Sequence, residues 1–231
     1  MKKKAFLAAL PFTIPIFFGY LFSGIAFGIL LTSHGHAWWW APVMAVVILA
    51  GSMQFIALEI LAAPFNPLMA LAMTLMVNAR HMFYGLSMFD KFRNAGVRKP
   101  YQIYALTDET YSVLCEVEPP EGVDRDWFNF FVAALNQSYW VGGCTLGALA
   151  GSAFRFNTKG IDFVLTALFL VIFLSQWEST RDHRPALIGV GCAVLALLLF
   201  GPDNFILPSM IGIFLLMVVL RKPVEASVDH E

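Results

Sequence analysis

"AFLAALPFTIPIFFGYLFSGIAFGILL", residues 5–31, carries no charge, and the uncharged run that it opens continues to Leu58. A helix needs about 20 apolar residues to cross the hydrocarbon core of a bilayer, so the stretch reads as a glycine-striped membrane span. Lys2, Lys3 and Lys4 precede it in the manner of a signal peptide. A signal peptide breaks after roughly 7–15 apolar residues, whereas this run passes through Pro11 and Pro15 to Leu31. It is expected to be a retained first helix.

Moving outward, further uncharged runs cover Ile60–Ala79, Trp127–Phe154, Phe163–Trp177, Pro185–Pro202 and Asn204–Leu220. Hydrophobic residues make up 58% of the chain and charged residues 13%, against roughly 25% charged in an ordinary soluble domain. The mean hydropathy is +0.69. The fold class that follows is all-α: a polytopic helical membrane protein. A net charge of -1 offers nucleic acid no electrostatic footing, and the basic residues form short clusters that read as topology signals. Cys115, Cys144 and Cys192 lack CxxC spacing, so neither a disulfide framework nor a metal site is implied.

The glycine stripe returns. Gly19, Gly24 and Gly28 recur as Gly142, Gly147 and Gly151, and "RKP" at 98–100 recurs at 221–223, all with one offset. Slightly different offsets relate Gln54-Phe55 to Gln176-Trp177 and Asn78 to Asn204. Transporter folds are often built from such internal repeats. Residues 4–100 and 127–223 therefore read as two copies of one helical unit, joined by a polar linker at 101–126, all within one transmembrane transporter-like domain. Glycines that pack helices, plus a repeated basic stop signal, are the simpler alternative.

Each copy is predicted to hold a long glycine-striped helix (6–32, 127–153), a second helix (41–62, 161–178) and a region interrupted near its centre (66–89, 185–220). In the second copy "FGPDNFILP" at 200–208 supplies Gly201, Pro202 and Pro208, which cannot continue a regular helix. The matching place in the first copy is "VNARH", residues 77–81. If each interrupted region returns to its own side, the N-terminus, 90–126, 179–184 and the C-terminus share one strongly basic and therefore cytoplasmic side. If 66–89 makes a full crossing, the basic residues divide more evenly. An inverted repeat needs an odd number of spans per copy, and the parity stays open.

The chemistry concentrates at the predicted interruption. An ionisable side chain inside a span is by default a functional-site hypothesis. Arg80 and His81 follow twenty uncharged residues, and the guanidinium suits a carboxylate. A snorkelling residue near a helix end is the plainer reading. Asn78 and Tyr84 would add neutral hydrogen-bonding groups. Ser52 and Gln54, with Ser175 and Gln176 at matching points of the other copy and Asn204 at its break, are candidate substrate-binding groups, or equally helix-to-helix glue. Glu59 and the pair Asp108–Glu109 in "YALTDETYSVL" are protonatable groups fit for coupling. The latter stretch is explained as well by an amphipathic helix lying on the membrane. No phosphate loop, nucleophile elbow or HExxH is found, so no enzyme, cofactor or metal is expected, and His34 and His36 read as an interfacial loop before a tryptophan belt.

With "FFGYLFSGIAFG", "AGSMQF", "NARHMFYG" and "ALTDETY" in this order and spacing, the chain resembles the AzlC family over nearly its whole length. The second half offers few motifs to compare. The resemblance implies the large subunit of a two-component exporter of branched-chain amino acids, valine among them, in the bacterial cytoplasmic (inner) membrane. It also implies a small, very hydrophobic AzlD-like membrane subunit as partner, in contact with membrane lipid, and coupling to the proton gradient. A membrane channel or a non-transporting scaffold subunit is the alternative.

Overall fold

The computed structural model describes residues 2–64, 66–93, 95–154, 170, 173–174, 177–178, 182–201 and 205–220. The elements described are all helices: α1 (Lys2–Ser33), α2 (Trp40–Val47), α3 (Gly51–Ala62), α4 (Pro67–Ser87), α5 (Lys99–Tyr104), α6 (Asp108–Glu116), α7 (Arg125–Ala153), α8 (Arg184–Phe200) and α9 (Ile206–Val219), with a 3₁₀ turn at Gly96–Arg98. The chain divides into two compact units, Met1–Thr166 and Ala167–Glu231. α7, which opens the predicted second copy, lies against α1 in the first unit.

α1 and α7 form the axis of that unit and run in the same direction. From one end to the other, Lys2 meets Trp127, Phe6 meets Phe131, Tyr20 meets Trp140, and Gly28 meets Gly147 and Ala148. The glycines make this contact possible. A Cβ on Gly24 would stand 2.8 Å from the backbone nitrogen of Cys144, and one on Gly28 would overlap the Cys144 carbonyl outright. Gly19 and Gly142, by contrast, face open space. Pro11 and Pro15 lie inside α1, where each removes a backbone donor. The Thr13 hydroxyl donates to the Leu10 carbonyl at 3.2 Å beside them.

Two short hairpins meet at mid-height along this pair. The first comes from the end at Ser33. α2 leads inward, and the chain breaks at Ile48–Ala50, with Leu49 at φ +43°. Gly51 then sits against Trp140, and α3 turns back so that Phe55 meets Phe27. The second hairpin comes from the opposite end, where Arg98 approaches Asp126 at 3.9 Å and lies over Trp127. α5 climbs from there, and α6 starts beside Tyr20 and Asn136. It descends until Leu114 packs with Ala9, Phe92 and Phe128.

α4 runs between the two hairpins, antiparallel to α3. Its Met73 and Val77 pack on Ala50, Met53 and Ile56, and just beyond its C-terminus Met88 joins the cluster of Ala9 and Phe128. Two sequence expectations are thereby corrected. The predicted second helix, 41–62, is two helices broken at Ile48–Ala50, and the predicted interruption within 66–89 is a continuous α4. Arg80 can stay helical because Ser52 and Asp108 on neighbouring elements reach it and the backbone need not open. The first helix of each predicted copy, 6–32 and 127–153, is found as α1 and α7.

In the second unit the break at "FGPDNFILP" is present. α8 ends at Phe200, Gly201 has φ +74°, and α9 begins at Ile206. Gly212 lies against Cys192, a contact that one continued helix could not make, because residues twenty apart are about 30 Å apart along its axis. The break is therefore a reversal. The predicted helix 161–178 lies largely outside the described residues.

The outer surfaces are apolar. Phe22 is 68% exposed and Leu198 78%, and Ile14, Phe18, Leu187, Val194 and Phe214 are likewise open. Contiguous apolar faces of this kind suit lipid rather than water. Among the described residues α1 alone combines the length and hydropathy of an independent span, with a mean hydropathy of 2.1.

Candidate functional site

The two hairpin tips and α4 enclose a cleft of about 220 Å³. Ile48, Leu49 and Ala50 line it from the first tip, Ile103, Tyr104 and Leu106 from the second, and Asn78 and His81 from α4. The walls are apolar, with a few polar groups, as ligand sites usually are. Asn78 Oδ1 is buried and has no hydrogen-bond partner. α3 begins at the break with no side-chain cap, so the first-turn N–H groups of Gly51, Ser52 and Met53 lack helical acceptors and give this edge a positive dipole end.

At the edge of the cleft Arg80 links the tips. Its Nη2 donates to Ser52 Oγ at 3.1 Å, and its Nε lies 2.8 Å from Asp108 Oδ1. The Nε–H is not aimed at that oxygen, so this second contact is ionic rather than an aligned hydrogen bond. Tyr84 donates to the same Oδ1 at 2.9 Å and stacks on Tyr111 with ring centroids 4.2 Å apart. Each partner of Arg80 stands two residues from a lining residue, Ser52 from Ala50 and Asp108 from Leu106.

The start of α6 supplies the other half of the site. Thr107 is its N-cap and accepts from the Thr110 N–H at 3.3 Å. Asp108 and Glu109 fall in the first turn, where negative charge suits the helix dipole. Tyr20 donates to Glu109 Oε2 and lies 2.8 Å from Thr107 Oγ1, while Asn136 donates to Thr110 Oγ1 at 3.0 Å. Glu109 is exposed beside this network.

The AzlC family model matches residues 15–154, a span that contains both tips, α4, all of α7 and the larger part of α1. The chain belongs to the AzlC family. It is 50% identical over 223 residues to the branched-chain amino acid transport protein AzlC of Bacillus subtilis, covering 96% of this chain and 88% of that one. It is 41% identical to an uncharacterized membrane protein of Helicobacter pylori, over 96% and 97% of the two chains. The inner membrane protein YgaZ of Escherichia coli is 25% identical over 74% of this chain and 72% of its own length. No solved structure matches. Together with its apolar surfaces, these relationships make the chain a membrane protein.

Within this AzlC chain Asn78 and His81 line the cleft, while Ser52, Arg80, Tyr84 and Asp108 form a bonded cluster beside it, with Glu109 next to Asp108 in α6. Gln54 is one step removed. It is fully buried and accepts from Trp140 Nε1 at 2.6 Å, which makes it a tie between α3 and α7. Glu59 is exposed further along α3 and takes no part in the bonds that join the cluster. Ser175, Gln176 and Asn204 lie outside the described residues. Sequence reasoning missed Tyr20, Asn136, Trp140 and the break at Leu49. Asn136 and Gln137 in an otherwise apolar run were a usable signal, because amides inside a span seek partners. Tyr20 is one aromatic residue among many, and nothing in the sequence distinguishes it.

Proposed function

We propose that the chain transports branched-chain amino acids outward across the bacterial cytoplasmic membrane, as a multi-pass large subunit acting with a small AzlD-like partner. The observation that carries this reading is Arg80, held between Ser52 and Asp108 at the rim of an apolar cleft where a helix is broken. A zwitterion with an aliphatic tail fits those features. Its carboxylate takes the guanidinium and the first N–H groups of α3. Its ammonium takes Asn78 Oδ1 and the carbonyls of Ile48 and Leu49 at the break, and its tail takes Leu49, Ile103 and Leu106. The name of the Bacillus relative supports the substrate class.

Glu109, in the first turn of α6 and hydrogen-bonded by Tyr20, is the proposed proton carrier. The parallel α1 and α7 support a duplication in which both copies keep one orientation, with an even number of passages in each. Lys2, Arg98 and Lys99 at one end of the axis and the exposed Trp38–Trp40 at the other support a cytoplasmic N-terminus.

Efflux of preloaded labelled valine from vesicles tests the reading, with and without the small subunit and with the pH gradient varied. Saturable, gradient-driven efflux that requires the partner is expected, and Arg80→Gln abolishes it while the protein still inserts. Absence of efflux from a correctly inserted complex overturns the assignment.

A further inference from the structure

The Arg80–Asp108 contact is weaker than the two residues could make it. The edge of a guanidinium formed by Nε and Nη2 matches the two oxygens of a carboxylate in a paired, bidentate geometry. Here that edge is divided. Nη2 goes to the neutral Ser52 hydroxyl, and Nε meets a single oxygen of Asp108 without a well-aimed N–H. The other claim on that oxygen is the Tyr84 hydroxyl, which donates to it at 2.9 Å. Neither ion is sealed in, with side-chain exposures of 31% for Arg80 and 34% for Asp108. A solute carboxylate arriving through the cleft could therefore take both donors of the edge, where Asp108 takes one.

We propose that Asp108 is a built-in competitor that occupies the substrate-carboxylate position on Arg80 and is displaced when substrate binds. This rests on the reading above that Arg80 receives the substrate's carboxylate. The exchange is charge-neutral at the guanidinium, one carboxylate for another, so the site never holds an unpaired buried cation. Asp108 also begins α6, at the tip of the second hairpin. Leaving Arg80 breaks the bridge through the guanidinium from that tip to Ser52 on the first tip, while Tyr84 keeps its hold on α6. Asp108 is thus a positioning residue that lowers affinity for substrate and ties occupancy of the cleft to the closure between the tips.

Equilibrium binding to the full-length chain with its small subunit, in lipid nanodiscs, tests this with two probes: labelled valine, and isobutylamine, which has the same branched tail and amine but no carboxylate. Asp108→Asn removes the competing charge, and valine then binds about fivefold to tenfold more tightly, the scale of one charge-assisted contact. Isobutylamine binding does not gain. Asp108→Ser, which keeps a small polar group at the start of α6, shifts the valine-to-isobutylamine ratio in the same direction should the asparagine variant fold poorly. A residue that merely braces the fold would weaken both probes together. Valine binding unchanged or weaker in both variants, with the wild type binding normally, overturns the competitor role. No valine binding by the wild type overturns the amino-acid reading, and the competitor role falls with it.

Discussion

At the scale of single residues, the pairing of Gln54 with Trp140 is the plainest commitment in the first unit, because both are buried and 86 positions separate them. Trp140→Phe leaves Gln54 Oε1 with no donor, at a cost of about 1–3 kcal/mol. Converting Gln54 to Leu in the same molecule removes the stranded group and recovers part of that loss. Unfolding midpoints of the two single variants and the double variant measure this, and a fully additive result would deny the bond.

Helix pairs carry the next level of specificity. Gly28 touches the backbone of α7 and Gly19 touches nothing, so Gly28→Ala forces α1 and α7 apart at roughly 1–3 kcal/mol, while Gly19→Ala is tolerated. Detergent-solubilised unfolding temperature distinguishes the two. At the break, Leu49 is 5% exposed and left-handed at φ +43°. Leu49→Gly relieves about 1–2 kcal/mol of backbone strain and forfeits roughly 2–5 kcal/mol of buried side chain, so the net effect is destabilising. The same element shows where sequence reading stops. Long uncharged runs declared α1 and α7 because span length is a property of local composition. Gly201 declared the reversal between α8 and α9 because its positive φ ends a helix, whereas Pro208, also expected to interrupt, sits in the first turn of α9, where proline is tolerated. Nothing in "VVILAGS", residues 46–52, refuses a helix before Gly51, so the break there is imposed by tertiary packing on Trp140 and α4. Conversely, the interruption expected in α4 came from matching "VNARH" to the broken stretch of the other copy, and the partners that hold Arg80 within a continuous helix, Ser52 and Asp108, are distant in sequence.

Across the whole first unit, the hairpins enter from opposite ends and meet in the middle, which predicts sidedness. In a chain whose three native cysteines are replaced by serine, a cysteine at Val97, 97% exposed near the base of the second hairpin, reacts with an impermeant thiol reagent from the N-terminal side alone. A cysteine at Trp39 reacts from the opposite side alone. Labelling of both from one side in sealed, oriented vesicles would contradict the opposed arrangement.

The glycine seam between α1 and α7 also sets an order of events during synthesis. Its two halves are about 120 residues apart in the chain, which a ribosome covers in roughly 6–24 s at about 5–20 residues per second. Throughout that interval α1 is already made while its closest neighbour does not exist, and the notch at Gly24 and Gly28 meets only lipid or the insertion machinery. The first helix must therefore persist in the bilayer on its own hydropathy, as the one described helix apolar and long enough to do so. α7, less apolar, arrives to a groove already waiting for it.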